Sequence, residues 1–463
     1  MEKLLWLVLV ATEIGFAVME SKREVTRGEW TVQRLAAAGG QFVIYLIALL
    51  LPGIDTSFRF KLLAVLLAVR VVVAAVFWLV GRKSKDAGAA KKKASIVLSA
   101  LLSVVLITVS LVPAFVFADY SGRPLTGDHE VVQSEAILID PSRTEEFESD
   151  GSCREVPVHF YFPEIADAGA AHTMPLIIFS HGAFGYYQSN VSTYMELASH
   201  GYVVISLDHP YHSFFTKDTS GKTVTVDPAF LQSAMDIGGN DYPYEVTFPI
   251  TSQWMKLRID DMNFVIDTVK EAVAMTSQDP DSPFGEAWFY AQKEESKLRE
   301  VLALIDSDQV GVMGHSLGGA TAVTVGRRED VSAVIDLDGT MLGEELELRD
   351  GKVIFNDAPY TTPILEFQNE EHHFSGLEAE EAGAPYVNNA IMENAGNGYR
   401  TWFQGSGHMN FTDLPLFSPV LAGFLGTGSV DPEKCIDQIN ALVVEFFDCY
   451  LKGEGTFTVN TCY

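Results

Sequence analysis

The chain has 463 residues, of which 48% are hydrophobic, and a positive mean hydropathy of +0.14. It is too long for one average domain, and its hydropathy is high for a protein lying wholly in water, so we expect part of it in lipid. Residues 1–118 hold 14 Lys and Arg against 7 Asp and Glu, which leaves 18 against 54 for the rest. An acidic body argues against a nucleic-acid role, since neutralising phosphates needs a basic face.

Four apolar stretches precede residue 119. They cover residues 4–19, 35–51, 62–80 and 96–118. The last two are long enough to span a bilayer core, which takes about 20 residues, and the first two are shorter. A cleaved signal peptide is the rival reading of the first stretch, but no small-x-small cleavage site follows it. The sequence therefore predicts a transmembrane domain of about four helices over residues 1–118.

Positive charges lie between these stretches. The loop residues are Lys22, Arg23, Arg27 and Arg34 in the first loop, Arg59 and Lys61 in the second, and Arg82, Lys83, Lys85, Lys91, Lys92 and Lys93 in the third. By the positive-inside rule the first and third loops face the cytoplasm. The body is then expected on the extracytoplasmic side of a multi-pass cell-membrane protein.

Two ionisable residues, Glu13 and Arg70, fall within the apolar stretches. An isolated charge at that depth is costly and normally faces the helix bundle, where it finds a partner. We predict that they pair; the alternative is that each reaches an interface or a wet crevice.

The cysteines, Cys153, Cys435, Cys449 and Cys462, all lie in the body. An even number is compatible with disulfides outside the cell, and buried free thiols are the equal alternative. Cys435 and Cys449 share a predicted helix and would stand about 21 Å apart, so any disulfide would join them to Cys153 and Cys462.

Residues 119–149 read as a linker with first strands, and residues 150–463 as an alternating α/β domain. Apolar runs predict strands over residues 156–162, 175–179, 202–207, 310–313, 333–337, 363–367 and 399–403. Helical patterns cover residues 194–199, 252–273, 318–327 and 435–451. This alternation predicts a mostly parallel sheet with helices on both faces. Residues 214–249 and 277–306 are insertions, and each could form a lid or a wall of the acyl pocket. Surface decoration is the alternative for both, and we favour it for the second.

The segment Val310-Gly-Val-Met-Gly-His-Ser-Leu-Gly-Gly-Ala runs from an apolar strand through G-x-S-x-G into a helix. This is the pattern of a nucleophile elbow, in which glycines two residues before and after Ser316 let the backbone turn sharply. The turn exposes the hydroxyl and directs the backbone N–H of Leu317 at a developing oxyanion. Ser316 is therefore the predicted nucleophile.

A second oxyanion donor is expected from the loop after an earlier strand, in Pro175-Leu-Ile-Ile-Phe-Ser-His-Gly-Ala-Phe-Gly. We expect Gly182 to permit an unusual backbone that turns the next N–H inward. Ala183 is the first candidate donor and Phe184 the second. His181 could be read as a catalytic base, but a structural hydrogen-bonding role is commoner for a histidine in such a loop.

The base must be a histidine that reaches Ser316. His408 lies in a glycine-rich loop just after the last predicted strand, whereas His372 and His373 lie in an acidic segment that reads as solvated surface. Spacing alone does not identify the acid that orients His408. Its candidates are Asp338, Glu370, Glu371 and Asp336.

Five segments, taken in order, resemble the plasma-type platelet-activating factor acetylhydrolases and their bacterial relatives. They are Phe179-Ser-His-Gly, Gly314-His-Ser-Leu-Gly-Gly-Ala-Thr, Leu337-Asp-Gly, Phe367-Gln-Asn-Glu-Glu and Gly405-Ser-Gly-His-Met-Asn-Phe-Thr-Asp. The resemblance covers about residues 150–452 and does not extend to the membrane domain.

This resemblance implies an α/β-hydrolase fold and calcium-independent cleavage of short or oxidised sn-2 acyl groups from phospholipids. It also implies a triad of Ser316, Asp338 and His408, with oxyanion donors at Ala183 and Leu317. An aromatic residue that the family has near the acid is replaced here by Gly339-Thr340-Met341, which alters the acyl pocket.

The predicted activity is hydrolysis of a lipid or small ester through an acyl-enzyme. A polyester or cutin-type hydrolase and a non-catalytic membrane receptor or scaffold are the rivals. No metal-ligand cluster or phosphate-binding glycine loop is found in the sequence, so no cofactor or metal is expected, and the sequence sets no oligomeric state.

Overall fold

The computed structural model describes residues 1–82, 87–164, 171–239, 242–291 and 294–463. The chain forms two compact units, one of Met1–Ser121 with Leu416–Leu421 and the other of Gly122–Pro415 with Ala422–Tyr463. Lys83 and Lys85, assigned to the third loop, lie outside the described residues.

Unit 1 is helical. Its helices are α1 (Glu2–Ser21), α2 (Arg27–Ala48), α3 (Phe58–Gly81), α4 (Lys93–Ser110) and α5 (Val112–Val116). A capping box between Thr26 and Glu29 begins α2 eight residues before the apolar stretch. The fourth predicted stretch is two helices rather than one, because Pro113 lies in the first turn of α5 and has no N–H to continue α4.

The number of candidate spans differs from the prediction. Within the described part of the chain, three helices are long and apolar enough to cross a membrane: α1, α3 and α4. The expected count of about four is therefore corrected to three. Helix α2 has 22 residues but carries Arg27, Glu29, Gln33, Arg34 and Gln41.

Charges inside unit 1 are paired. The predicted ion pair between Glu13 and Arg70 is confirmed, and Glu13 is fully buried. The other Glu13 oxygen accepts from Nη1 of Arg34 at 2.7 Å. Arg34 had been assigned to the first loop, which is wrong because α2 begins at Arg27 and carries Arg34 two turns into the bundle.

Unit 2 is built on a central sheet. The strands of the chain are β1 (Val131–Thr144), β2 (Cys153–Pro163), β3 (Met174–Ser180), β4 (Val203–Leu207), β5 (Phe215–Lys217), β6 (Thr223–Thr225), β7 (Trp288–Phe289), β8 (Ile305–His315), β9 (Ala333–Leu337), β10 (Glu345–Arg349), β11 (Lys352–Phe355), β12 (Ile364–Gln368) and β13 (Gly398–Trp402). As far as the structure describes the chain, nine of them form the sheet in the order β13-β12-β9-β8-β3-β4-β2-β1-β7, and β5-β6 and β10-β11 are hairpins.

The sheet has the predicted character. Strands β13, β12, β9, β8, β3 and β4 are parallel, and β2, β1 and β7 continue the sheet antiparallel. All seven predicted strands are present, within a few residues of the expected bounds except that β8 begins five residues earlier. Because β3, β4 and β9 are buried along their whole length, their apolar runs do not alternate.

Helices cover the sheet. Those of unit 2 and of the segment near residue 416 are α6 (Val191–Ser199), α7 (Pro228–Gly239), α8 (Tyr244–Gln278), α9 (Glu295–Leu304), α10 (Leu317–Val325), α11 (Glu370–Ala382), α12 (Val387–Glu393), α13 (Leu414–Phe417), α14 (Pro419–Leu425) and α15 (Pro432–Phe447). The second insertion is not surface decoration, because Leu298, Val301 and Leu302 of α9 belong to the main core and β7 extends the sheet.

The four cysteines are free thiols. Cys435 is buried, and its Sγ lies 3.9 Å from the carbonyl oxygen of Asn410. The pairing of Cys435 and Cys449 with Cys153 and Cys462 is therefore not formed.

Removing the shared carboxylate of unit 1 tests the buried charge network. We expect Glu13→Leu to lower the free energy of unfolding by about 2 kcal/mol or more, because Arg34 and Arg70 would be left buried without their acceptor. Glu2→Gln in the same helix is the control, since Glu2 pairs with the exposed N-terminus and should cost below about 0.5 kcal/mol. Denaturant titration in detergent micelles, followed by circular dichroism, measures both losses; equal losses would contradict the pairing.

Candidate active site

Ser316 lies at the turn between β8 and α10. Its backbone has φ 56° and ψ −125°, a conformation that L-residues rarely adopt. The turn closes because Ser316 N–H donates to the carbonyl of Leu337 (3.0 Å), the last residue of β9. The strained backbone leaves the Ser316 side chain partly exposed at the carboxyl end of the sheet.

The motif glycines have the steric role that the sequence predicts. A Cβ at Gly314 would lie 2.3 Å from the backbone of Gly318, and one at Gly318 would lie 1.9 Å from the carbonyl oxygen of Ser180. Both distances are far inside van der Waals contact. The elbow therefore packs directly on the end of β3.

The loop after β3 lies against the elbow. A Cβ at Gly182 would come within 2.8 Å of His315 Nδ1 and 3.1 Å of Ser316 Cβ. Gly182 does not have a positive φ, and the left-handed residue of this loop is Phe184 with φ 59°. Gly182 is needed for close approach and not for an unusual backbone, which corrects the expectation.

Two backbone N–H groups beside Ser316 have no acceptor among the described residues, those of Ala183 and Leu317. The N–H of Phe184, the second candidate, donates to the carbonyl of His212 (3.2 Å) and is thus occupied. Free donors on both sides of a nucleophile are what an oxyanion hole requires.

His181 has a structural role. The ring is fully buried and bonds through Nδ1 to the Gly182 carbonyl (2.7 Å) and through Nε2 to Ser213 Oγ (2.8 Å). Burial, aided by the charge of Arg258, holds the pKa of His181 well below its ordinary value, so the ring is neutral.

Arg258 holds the same loop from beneath. This fully buried side chain of α8 donates from Nη1 to the carbonyl of His181 (2.6 Å) and from Nη2 to that of Gly182 (3.2 Å). Burial lowers the pKa of Arg258 to about 9, with Asp261 acting against the shift, so the group stays charged at neutral pH. Arg258 was not predicted from the sequence, although its place on the buried stripe between Trp254 and Asp261 is a readable signal.

Asp338 follows β9 and binds His408. Nδ1 of His408 donates to Oδ2 of Asp338 at 2.6 Å. Asn369 adds its backbone N–H to Oδ1 (2.7 Å) and its side-chain amide to Oδ2 (2.8 Å). Burial alone would raise the pKa of Asp338, but the positive charge and hydrogen bonds of His372 and His408 hold it well below the ordinary value.

His372 is not a solvated surface residue as expected. Its Nδ1 lies 2.9 Å from Oδ1 of Asp338, and its side chain is 29% exposed. The interaction arises because α11 begins directly after β12, with Asn369 as N-cap, and brings His372 back over the strand end. Burial lowers the pKa of His372, but the Asp338 carboxylate outweighs it and raises the pKa above its ordinary value.

The other candidate acids lie elsewhere. Glu370 and Glu371 are in the first turn of α11, where Glu371 is exposed. Asp336 is fully buried and accepts from the N–H of Gly339 (2.9 Å). Burial and the charge of Glu366 raise the pKa of Asp336 well above its ordinary value, and among the described residues Asp336 makes no hydrogen bond to His408.

His315 links the elbow to the His408 loop. Its Nε2 lies 3.1 Å from the carbonyl oxygen of His408, and the two rings pack with centroids 4.5 Å apart. Burial, with the charge of His408, lowers the pKa of His315 to about 3, so the neutral ring donates from Nε2. Among the described residues Ser316 Oγ makes no hydrogen bond to His408, and such bonds commonly tighten only when substrate is bound.

An apolar cluster stands beside the elbow. Phe230, Trp254, Met255, Leu317 and Ala320 form its buried part, with Ala183 and Phe184 packed against it. Phe230 belongs to α7, in the first insertion, and its ring stacks on His212 at 3.7 Å. The insertion thus forms a wall next to both candidate oxyanion donors.

One cluster, made of a carboxylate and two imidazoles, has the spacing of a metal site. Ligand atoms of Asp338, His372 and His408 lie within 4.8 Å of one another. Nδ1 of His408 already donates to the Asp338 carboxylate and Nδ1 of His372 lies 2.9 Å from it as an ion-pair partner, so these contacts account for the cluster.

Comparisons with known proteins agree with this architecture. The platelet-activating factor acetylhydrolases of Bos taurus and Canis lupus familiaris are each 24% identical to this chain, over 299 and 286 residues. These matches cover 61% and 60% of this chain but only 58% and 57% of the relatives, so the chain spans under three fifths of their length. A ferulic acid esterase from Streptomyces cinnamoneus has the same fold, with TM-score 0.50, 20% identity and coverage of 72% of this chain and 93% of the esterase.

The family model described as platelet-activating factor acetylhydrolase, isoform II, matches residues 164–458, which is more than half of the chain and includes every candidate site residue. The chain therefore belongs to the platelet-activating factor acetylhydrolase, isoform II, family.

Proposed function

We propose that this protein is a serine carboxylic-ester hydrolase that cleaves short or oxidised acyl esters of lipids through an acyl-enzyme. Ser316 is the nucleophile, His408 the general base and acid, and Asp338 the residue that orients His408. The main support for this proposal is the 2.6 Å hydrogen bond between His408 and Asp338, which lies at the same end of the sheet as the Ser316 elbow. Family membership and the esterase fold support the same reaction class.

The reaction follows from these positions. Ser316 Oγ attacks the ester carbonyl while Nε2 of His408 takes its proton, and the oxyanion accepts from the N–H groups of Ala183 and Leu317. His408 returns the proton to the leaving alcohol, and water then repeats the sequence on the acyl-enzyme. Asp338 fixes the tautomer with its proton on Nδ1 and stabilises the imidazolium.

The substrate class rests on the apolar wall and on the family. An acyl group bound at Ser316 would lie beside the cluster that contains Phe230 and Trp254, which favours an apolar and limited chain. A cutin-type hydrolase needs an open cleft, and the insertion that carries α7 argues against it. A non-catalytic receptor or scaffold would have no use for two free N–H groups and a histidine–carboxylate pair at one elbow.

The membrane placement is also proposed. Helices α1, α3 and α4 would hold the protein in the cell membrane as a multi-pass protein. The basic segment between α3 and α4, which carries Arg82, Lys91 and Lys92, is expected in the cytoplasm by the positive-inside rule, so the catalytic unit that follows α4 would lie on the extracytoplasmic side.

The test is hydrolysis of p-nitrophenyl esters from acetyl to palmitoyl, beside a phospholipid with a short sn-2 chain. We expect turnover of the short esters only, loss of about 10⁴-fold or more in kcat for Ser316→Ala and a loss of about 10⁴-fold for Asp338→Asn. Glu370→Gln is the matched control and should retain full activity. An inactive Glu370→Gln variant beside an active Asp338→Asn variant would show that Asp338 is not the acid that orients His408. A wild-type protein that hydrolyses none of these esters would contradict the proposed function.

Arg258 tests the oxyanion loop. We expect Arg258→Met to lower kcat about 10²-fold with little change in KM, because the carbonyls of His181 and Gly182 would lose the charge that fixes the N–H of Ala183. Lys256→Met, at a 76% exposed position of the same helix, is the control and should be neutral. Circular dichroism verifies folding; a kcat equal to that of the control would contradict the positioning role.

His372 gives a pH-dependent prediction. Because its folded pKa is raised, its stabilising contribution is full below the ordinary value of 6.5 and is lost as pH rises through the raised pKa. His372→Ala should therefore lower Tm by about 2–4 °C more at pH 5.5 than at pH 9. His373→Ala is the control: because burial lowers the pKa of His373, its Tm deficit should not be larger at pH 5.5 than at pH 9. A Tm deficit of His372→Ala that grows with pH would refute the assignment.

A further inference from the structure

Unit 2 contains a cavity on the side of the sheet where the antiparallel strands β2, β1 and β7 lie. Its volume is about 400 Å³, within the range of about 300–1,000 Å³ that small-molecule sites occupy. Strands β1 and β2, the β5–β6 hairpin and the segment around β7 contribute to its walls. Its described lining residues include no member of the proposed triad, neither oxyanion donor and no residue of the Phe230 cluster, so this cavity is separate from the elbow.

The described lining of this cavity carries a net negative charge. Its charged residues are Glu135, Asp208 and Asp218 against Lys217. His159 also lines the cavity, with Nδ1 3.7 Å from the Glu135 carboxylate and Nε2 3.7 Å from that of Asp208. Even with His159 protonated, three carboxylates stand against two cations. The cavity therefore favours a positively charged occupant.

Asp208 supplies the buried part of this charge. Its carboxylate is fully buried and accepts from the N–H of Tyr187 (2.8 Å) and from Oγ1 of Thr216 (3.0 Å), which are both neutral donors. The imidazoles of His159 and His181 lie 3.7 and 3.9 Å away, and the lowered pKa of His181 keeps that ring neutral. In the described part of the chain no Lys or Arg forms an ion pair with Asp208. A buried carboxylate without a lysine or arginine partner is costly, and a bound cation would offset that cost.

Aromatic rings share the cavity with these carboxylates. They are Tyr187, Phe215, Phe289 and Tyr290. Phe215 is 40% exposed and Phe289 is 44% exposed, so neither ring is enclosed in the core. Burial, followed by the charges of Asp208 and Glu135, raises the pKa of Tyr187, as expected for a hydroxyl in a negative field. Aromatic faces beside carboxylates bind organic ammonium ions through cation–π attraction and charge.

We propose that this cavity binds an organic ammonium ion, with the charged nitrogen beside Asp208 and Glu135 and its alkyl groups against the aromatic rings. The carboxylates select a cation, and the rings select an alkylated nitrogen over a hydrated metal ion. A free ammonium compound and the ammonium head of a lipid share this chemistry. The proposal concerns unit 2 alone and does not depend on the proposed hydrolysis.

Isothermal titration calorimetry of the full chain in a maltoside detergent tests it, with tetramethylammonium, tert-butyl alcohol and sodium ion as probes. The alcohol presents methyl groups without a charge, and sodium presents a charge without methyl groups. We expect tetramethylammonium to bind at least about 10-fold more tightly than either. Equal affinity for the alcohol would contradict a cation site, equal affinity for sodium would contradict recognition by the rings, and no binding of tetramethylammonium would overturn the proposal.

Glycerophosphocholine distinguishes the two sources of the ion, because it carries the ammonium head of a lipid without acyl chains. Affinity at least about 10-fold above that of tetramethylammonium would assign the cavity to a lipid head. Equal or weaker affinity, with tetramethylammonium still bound, would assign it to a free ammonium compound.

Two pairs of variants locate the site, with folding verified by circular dichroism. Glu135→Gln removes a lining charge and should weaken tetramethylammonium binding about 3-fold or more, whereas Glu130→Gln, at an exposed position outside the lining, should leave it unchanged. Phe289→Ala removes a lining ring and should weaken binding about 3-fold or more, whereas Phe214→Ala, also exposed and outside the lining, should not. Equal effects within either pair would contradict the site.

Ester hydrolysis, measured on the same preparations, separates this proposal from the catalytic one. Ser316→Ala should bind tetramethylammonium at the wild-type level while its esterase activity is lost. Loss of tetramethylammonium binding in a folded Ser316→Ala variant would contradict a site separate from the elbow.

Discussion

Asp338 is a buried, ionised carboxylate, and the geometry of the candidate active site depends on which groups replace the water around it. An ionised group in the interior costs several kcal/mol unless protein donors replace its water. Here Asn369 donates twice and His408 once, and the imidazole of His372 lies 2.9 Å from the carboxylate as its ion-pair partner. They come from the end of β12, the first turn of α11 and the loop after β13, so one charge fixes the mutual position of three segments. The backbone of Asp338 has φ 58°, which places the carboxylate where these donors meet.

Backbone strain and close packing supply the second constraint. Ser316 adopts a conformation that glycine would adopt more readily, and the surrounding contacts hold it there. Gly182, Gly314 and Gly318 let the elbow, the end of β3 and the loop after it approach within distances that no side chain permits. Arg258 then uses its buried charge to hold the carbonyls of that loop, which leaves the N–H of Ala183 free. The proposed catalysis depends on donors that are positioned before substrate arrives.

The sequence was most informative where a pattern has one physical solution. Continuous apolar runs predicted the seven strands, and the glycine spacing around Ser316 predicted the elbow, because few other backbones satisfy those patterns. The place of His372 was predicted wrongly, since its acidic neighbours suggested solvent while the N-cap at Asn369 turns the chain back over the sheet. Arg34 was misplaced for a similar reason, because the capping box at Thr26 begins α2 before the apolar stretch. Such errors arise where a local cap, and not hydrophobicity, decides the chain direction.

Covalent labelling tests whether Ser316 is a nucleophile activated by His408 and Asp338. A fluorophosphonate reacts with an activated serine hydroxyl by losing fluoride, and peptide mass spectrometry locates the adduct. We expect one adduct per chain, on the peptide that contains Ser316, forming far more slowly when Asp338 is replaced by asparagine. An adduct on a different serine, or an unmodified Ser316 in the folded wild-type protein, would contradict the assignment.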